Sequence, residues 1–108
     1  MTTEHQSSRA TPVTVACRFG AGGWRPCRIV GSGPRSVTVE PWALPGELSR
    51  AVGVATVRLR YADGATFDLL GTIRHRSWIA PGRFGLGIEC SGFRVSVPAG
   101  SELVPSAA

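Results

Sequence analysis

A chain of 108 residues can bury one hydrophobic core but not two, and 43% apolar against 18% charged residues is the balance of an ordered protein. Fourteen glycines and eight prolines, scattered between short alternating runs, suit a turn-rich all-β domain and argue against a helical one. No stretch approaches the roughly 18 apolar residues of a membrane-spanning helix, and the net charge of +5 rests on twelve arginines with no lysine.

Residues 1–11 are polar and aperiodic and read as a flexible N-terminal arm. The start, Met1-Thr-Thr-Glu-His-Gln-Ser-Ser8, has neither the basic end nor the apolar run of a signal peptide, so the expected compartment is the cytoplasm. The folded domain is read over 12–97, with a tail over 98–108. After Pro12, Val13, Val15, Cys17 and Phe19 share one face of a first strand, and Gly20-Ala-Gly-Gly23 is a permissive turn. Trp24-Arg-Pro-Cys-Arg-Ile-Val30 makes a second strand; Pro26 cannot donate to a ladder and is expected at an edge or bulge. Gly31-Ser-Gly-Pro-Arg-Ser36 reads as a turn. It is no phosphate loop, because it lacks lysine and a strand follows instead of a helix. Val37 and Val39 point inward on the third strand, and residues 41–51 form a loop with at most one helical turn.

The stretch 57–90 carries the strongest pattern. In Val57-Arg-Leu-Arg-Tyr61 the odd positions are apolar and the even ones charged, and the same parity places Phe67, Leu69, Gly71 and Ile73 on one face. Ala62-Asp63-Gly64 is then a three-residue loop with Gly64 left-handed, which sets Leu59 against Phe67 and Arg58 against Asp68. A two-residue turn would set Arg60 against Phe67 and mix the faces. After Pro81-Gly82, Phe84, Leu86 and Ile88 alternate with Gly85, Gly87 and Glu89. Phe93, Val95 and Val97 extend the alternation as a candidate seventh strand. Six or seven short antiparallel strands favour a small closed or nearly closed β-barrel, the arrangement that removes exposed edges.

Little points to catalysis. Cys17, Cys27 and Cys90 have neither a disulfide framework nor zinc spacing, and Cys17 and Cys27 read as buried thiols. His75, between Arg74 and Arg76, has no carboxylate or cysteine partner by spacing; Asp63 sits in a turn and Asp68 is committed to Arg58. No enzyme, metal site or catalytic residue is expected. Arginine grips phosphate and stacks on bases, so a nucleotide partner competes with the plainer reading of solvated strand faces. A basic barrel binding single-stranded nucleic acid through Trp24, Trp42 and Trp78 is a further reading, weakened because these residues are not clustered.

Arg28-Ile-Val30 running into a Gly/Ser turn, then Val54-Ala-Thr-Val-Arg-Leu59, Leu70-Gly-Thr-Ile-Arg74 and Gly85-Leu-Gly-Ile-Glu-Cys90, come in an order that resembles a PilZ domain over roughly residues 5–92. The resemblance implies a six-stranded antiparallel β-barrel and a place in bacterial signalling through cyclic di-GMP. The family's R-x-x-x-R falls on His5-Gln-Ser-Ser-Arg9, so the second arginine is kept and the first is His5. Its D/N-x-S-x-x-G falls on Gly31-Ser-Gly-Pro-Arg-Ser36, where Gly31, Gly33 and Ser36 stand at the three signature positions and none matches. The implied ligand-binding positions are His5, Arg9, Gly31, Gly33, Arg35 and Ser36, with Arg35 and a protonated His5 as partial substitutes. The expectation is a divergent, non-enzymatic signalling or adaptor module. It needs no cofactor, acts through a protein partner, and binds cyclic di-GMP weakly or not at all. The alternatives are a working cyclic di-GMP receptor using Arg9 and Arg35, and the nucleic-acid-binding barrel.

Overall fold

The period of two in the sequence becomes register in space. In a computed structural model that describes residues 11–20 and 22–98, Leu59 lies opposite Phe67 and Arg58 opposite Asp68. The loop between them closes as expected: Gly64 has φ +91°, the Gly64 N–H donates to the Tyr61 carbonyl at 2.9 Å, and the Tyr61 N–H donates to the Ala65 carbonyl at 2.9 Å. The expected arm and tail, with His5 and Arg9, lie outside the described residues apart from Thr11 and Pro98.

The elements are β1 (Thr14–Phe19), β2 (Arg25–Gly33), β3 (Ser36–Pro41), the one-turn helix α1 (Pro45–Leu48), β4 (Val54–Arg60), β5 (Thr66–Ala80) and β6 (Arg83–Ser96). All six strands pair antiparallel and close into a barrel in the order β1-β2-β3-β6-β5-β4. Inward parity supplies the core: Cys17, Val39, Val57, Leu86 and Ile88 are fully buried, and Leu48 of α1 joins them from the end where β3 leads into β4. No helix among the described residues is long and apolar enough to cross a membrane.

Several local expectations are corrected. The turn expected over 31–36 narrows to Pro34 and Arg35, because Gly31, Ser32 and Gly33 belong to β2 and pair with Thr38, Val37 and Ser36. The candidate seventh strand is the far end of β6, which passes Cys90 without a break; Ser91 is a bulge residue between the pairs Gly71↔Cys90 and Leu70↔Gly92. Pro26 stands at the last pair of a two-pair seam, Ala16↔Pro26 and Cys17↔Arg25, beyond which β1 and β2 part.

Ile73 is 6% exposed, whereas Leu69, on the same face, is only half-buried and packs at the rim of the core. Ile73→Ala should therefore cost about 2 kcal/mol and Leu69→Ala clearly less. Denaturant midpoints of the two variants check the order.

Candidate functional site

The barrel's antiparallel order brings the β2–β3 turn, the end of β6 and the β4–β5 turn to one end. There the strands are unequal in length: β3 pairs with β6 only from Val39↔Leu86 to Ser36↔Glu89, while β6 continues to Ser96 along β5. The turn is fastened by a 2.7 Å hydrogen bond from the Cys90 N–H to the Arg35 carbonyl. This puts the Arg35 side chain at the junction of an outer groove and an inner cleft.

The outer groove, about 440 Å³, is lined by Arg35, Ser36 and Thr38 from the β3 side, Gly87, Ile88 and Glu89 of β6, and Arg74 and His75 of β5. Its floor follows from the row Thr38, Gly87, His75: the middle position has no side chain, and a Cβ there would stand 3.2 Å from the His75 Cβ. On one wall the Arg74 Nε donates to the Glu89 Oε1 at 2.8 Å, while Arg35 has no ion pair among the described residues. One uncommitted guanidinium, an imidazole and a half-neutralised arginine suit an anion. Ser36 and His75 also share the groove.

The inner cleft, about 340 Å³, lies beneath the same turn and is apolar, with Ile29, Val37, Leu69 and Cys90 in its walls. Beyond it the core face of the β5–β6 ribbon is open. Phe93 packs edge-on against Phe67, with ring centroids 5.2 Å apart, yet Phe93 stays 65% exposed and Val95 58%. Val13 shares the parity of buried Cys17 but is also exposed: β4 flanks β1 at that height, whereas β2 pairs with β1 only as far as Ala16↔Pro26.

Of the six positions implied by the resemblance, Gly31, Gly33, Arg35 and Ser36 come together on this hairpin, and His5 and Arg9 lie outside the described residues. Gly33 and Ser36 are cross-strand partners, and a Cβ at Gly33 would stand 2.8 Å from the Ser36 hydroxyl oxygen. That hydroxyl thus occupies the space in which a serine at 33 would begin. A Cβ at Gly31 has ordinary room, 3.9 Å from the Thr38 Cβ. Sequence reasoning missed Thr38, Arg74, His75 and Glu89 as groove residues. The outward parity of Gly87 and Glu89 was the available signal.

A second constellation on the outer surface is structural. Arg58 donates to both oxygens of Asp68, from Nε at 2.8 Å and Nη2 at 2.9 Å, and Asp68 is 3% exposed. Hydrogen bonding to Arg58 holds the Asp68 carboxyl below the usual carboxylate range against the opposing effect of burial, with Arg94 and Arg18 adding to the pull. Arg18 and Arg58 also lie over the Trp24 ring, at 4.7 and 4.4 Å from its centroid. Trp24 is therefore half-buried and already engaged. At the other end, Arg83 and Arg28 hold Glu40, lowering its pKa to about 2, chiefly through the Arg83 hydrogen bonds.

Cys17 and Cys27 are buried in the core. A hydrogen bond between the two thiols raises the Cys27 pKa and lowers that of Cys17. Among the described residues no three His, Cys, Asp or Glu side chains converge as metal ligands. No family model, curated protein or solved structure matches the chain.

Proposed function

We propose that this protein is a non-enzymatic signalling or adaptor module of the PilZ kind that acts by docking on a protein partner, its cyclic di-GMP site having lost the groups that hold the nucleotide. The observation that carries this reading is the β2–β3 hairpin. At the position where the PilZ motif has an Asp or Asn, the chain has Gly31, so the hairpin offers Arg35 with no carboxylate or amide of its own, and the Glu89 carboxylate in the groove is taken up by Arg74. The Ser36 hydroxyl lies close to where the motif's serine would be, which makes the acid at 31 and the arginine at 5 the decisive losses.

Each charge-assisted hydrogen bond is worth about 1.5–3 kcal/mol. Losing two or three of them weakens binding by several powers of ten, at roughly 1.4 kcal/mol per power. The nucleic-acid reading is less well supported, since Trp24 is engaged by two arginines, and the exposed Trp42 lies in the loop after β3 and Trp78 on β5.

The test is reconstruction. His5→Arg with Gly31→Asp should raise cyclic di-GMP affinity by at least about a hundredfold in calorimetric titration. A Cβ at Gly31 meets the Thr38 side chain only at ordinary contact distance, 3.9 Å. A reconstructed protein that folds normally and binds no better than the original would show that the hairpin is not an eroded nucleotide site.

A further inference from the structure

We propose that the free edge of β6 over residues 91–96 is a docking edge, which takes an extended acidic segment of a partner protein as an added antiparallel strand. This rests on the adaptor reading above and names the chemistry of its partner.

The backbone makes the first part of the argument. β3 pairs with β6 only as far as Ser36↔Glu89, and the seam ends at the Cys90 to Arg35 hydrogen bond. Residues 92–96 are held by β5 on one side, from Leu70↔Gly92 to Thr66↔Ser96, and among the described residues no strand lies on the other. A closed barrel normally leaves no such edge, and edges that remain are usually blunted by proline, lysine or strong bulging. This one carries no proline or lysine, and its bulge at Ser91 lies at the very start.

The side chains make the second part. Phe93 and Val95 lie on the core face, opposite Leu69 and Phe67, and are largely exposed. An added strand with apolar residues at alternate positions would lengthen that face and cover them, the main-chain ladder giving affinity and the alternate side chains selectivity. On the other face stands Arg94, its guanidinium 3.8 Å from the Asp68 carboxylate, which Arg58 already grips at closer range. Arg35, without an ion pair among the described residues, stands at the edge's other end. An incoming strand with acidic residues between its apolar ones matches both. Two copies joined edge to edge would instead bring Arg35 and Arg94 of each together, and the net charge of +5 opposes that pairing.

The probe is an eight-residue peptide alternating valine and glutamate, with a valine and lysine peptide as its counterpart, added to the isotopically labelled full chain. The amides of residues 92–96 that point away from β5 should exchange freely in the monomeric protein, while those bonded to β5 are already protected. With the acidic peptide the outward-pointing amides should gain at least tenfold protection and shift in the amide spectrum. The basic peptide should bind at least tenfold more weakly, and Arg35→Glu should lose most of the preference. Failure of the acidic peptide to bind, or equal binding of both peptides, overturns the proposal. So does an edge already protected in the free chain, by a second copy if the mass is doubled or by this chain's own terminal residues if it is not. Cyclic di-GMP titrated into the same sample separates the two readings: tight nucleotide binding removes the adaptor reading, whereas no nucleotide and no peptide binding removes only the edge.

Discussion

Gly71→Ala is expected to destabilise the barrel by about 3 kcal/mol or more, lowering the melting midpoint by upwards of 10 °C. Gly71 sits where β5 and β6 close over the bulge at Ser91. A Cβ there would be driven into the backbone carbonyl oxygen of Glu89 and would stand 2.8 Å from the Ile88 Cγ2. A flexible side chain could swing away, but a carbonyl within a paired strand cannot, so β6 must shift relative to β5. The strands moved are those that carry Arg74, His75 and Glu89, so the outer groove should be distorted too. Gly92, in the same strand pair, has nothing within 4 Å of its would-be Cβ. Gly92→Ala is the control, and its midpoint should scarcely change. Equal midpoints for the two variants would mean that the close approach at Gly71 does not exist.

Asp68→Asn should cost about 3 kcal/mol. Removing one partner of a buried ion pair costs about 3–5 kcal/mol, and the lower end applies because the Arg58 side chain keeps a 31% exposure through which water screens it. The pH dependence follows from the sign of the shift. Asp68 has a folded-state pKa below its unfolded value. Its contribution is therefore complete above the ordinary carboxylate range near 4 and is lost as pH falls through the lower folded value. Glu40, lowered from 4.5 to about 2, adds an acid-side loss of the same sign. Urea midpoints measured from pH 6 down to pH 2 should fall steeply for the original protein and less steeply for Asp68→Asn. Parallel curves would contradict the pairing.

The parts of this fold that the sequence discloses are those where side chains alternate without interruption. Leu59, Phe67, Arg58 and Asp68 could be paired across Ala62-Asp63-Gly64 because only one loop length keeps apolar residues together, and that register is found. The β2–β3 turn was harder, since Gly31 and Gly33 have no side chains with which to show a parity; backbone freedom in the sequence looked like a turn where a strand runs. Parity also says which face a residue occupies, not whether anything covers that face. Phe93 and Val95 lie on the core side and are exposed because β3 has 6 residues against 14 in β6, and Val13 because the β1–β2 seam stops at Ala16↔Pro26.

The outer groove was illegible for a different reason. It requires β3 to lie beside β6 and β6 beside β5, a long-range order that no local pattern encodes. His75 could thus be weighed as a catalytic base and set aside, while its place opposite Gly87, near Arg35, went unseen. The hairpin positions 31, 33, 35 and 36 were reached only through the family resemblance, and they do meet at one end of the barrel.

The reading of this barrel as an adaptor with an eroded nucleotide site stands or falls on one titration. Cyclic di-GMP injected into the unaltered protein in a calorimeter should give no saturable heat at ligand concentrations up to about 100 μM, in keeping with the loss of two or three charged hydrogen bonds. A saturating isotherm with a submicromolar Kd would contradict it and make Arg35 and its groove a working receptor site.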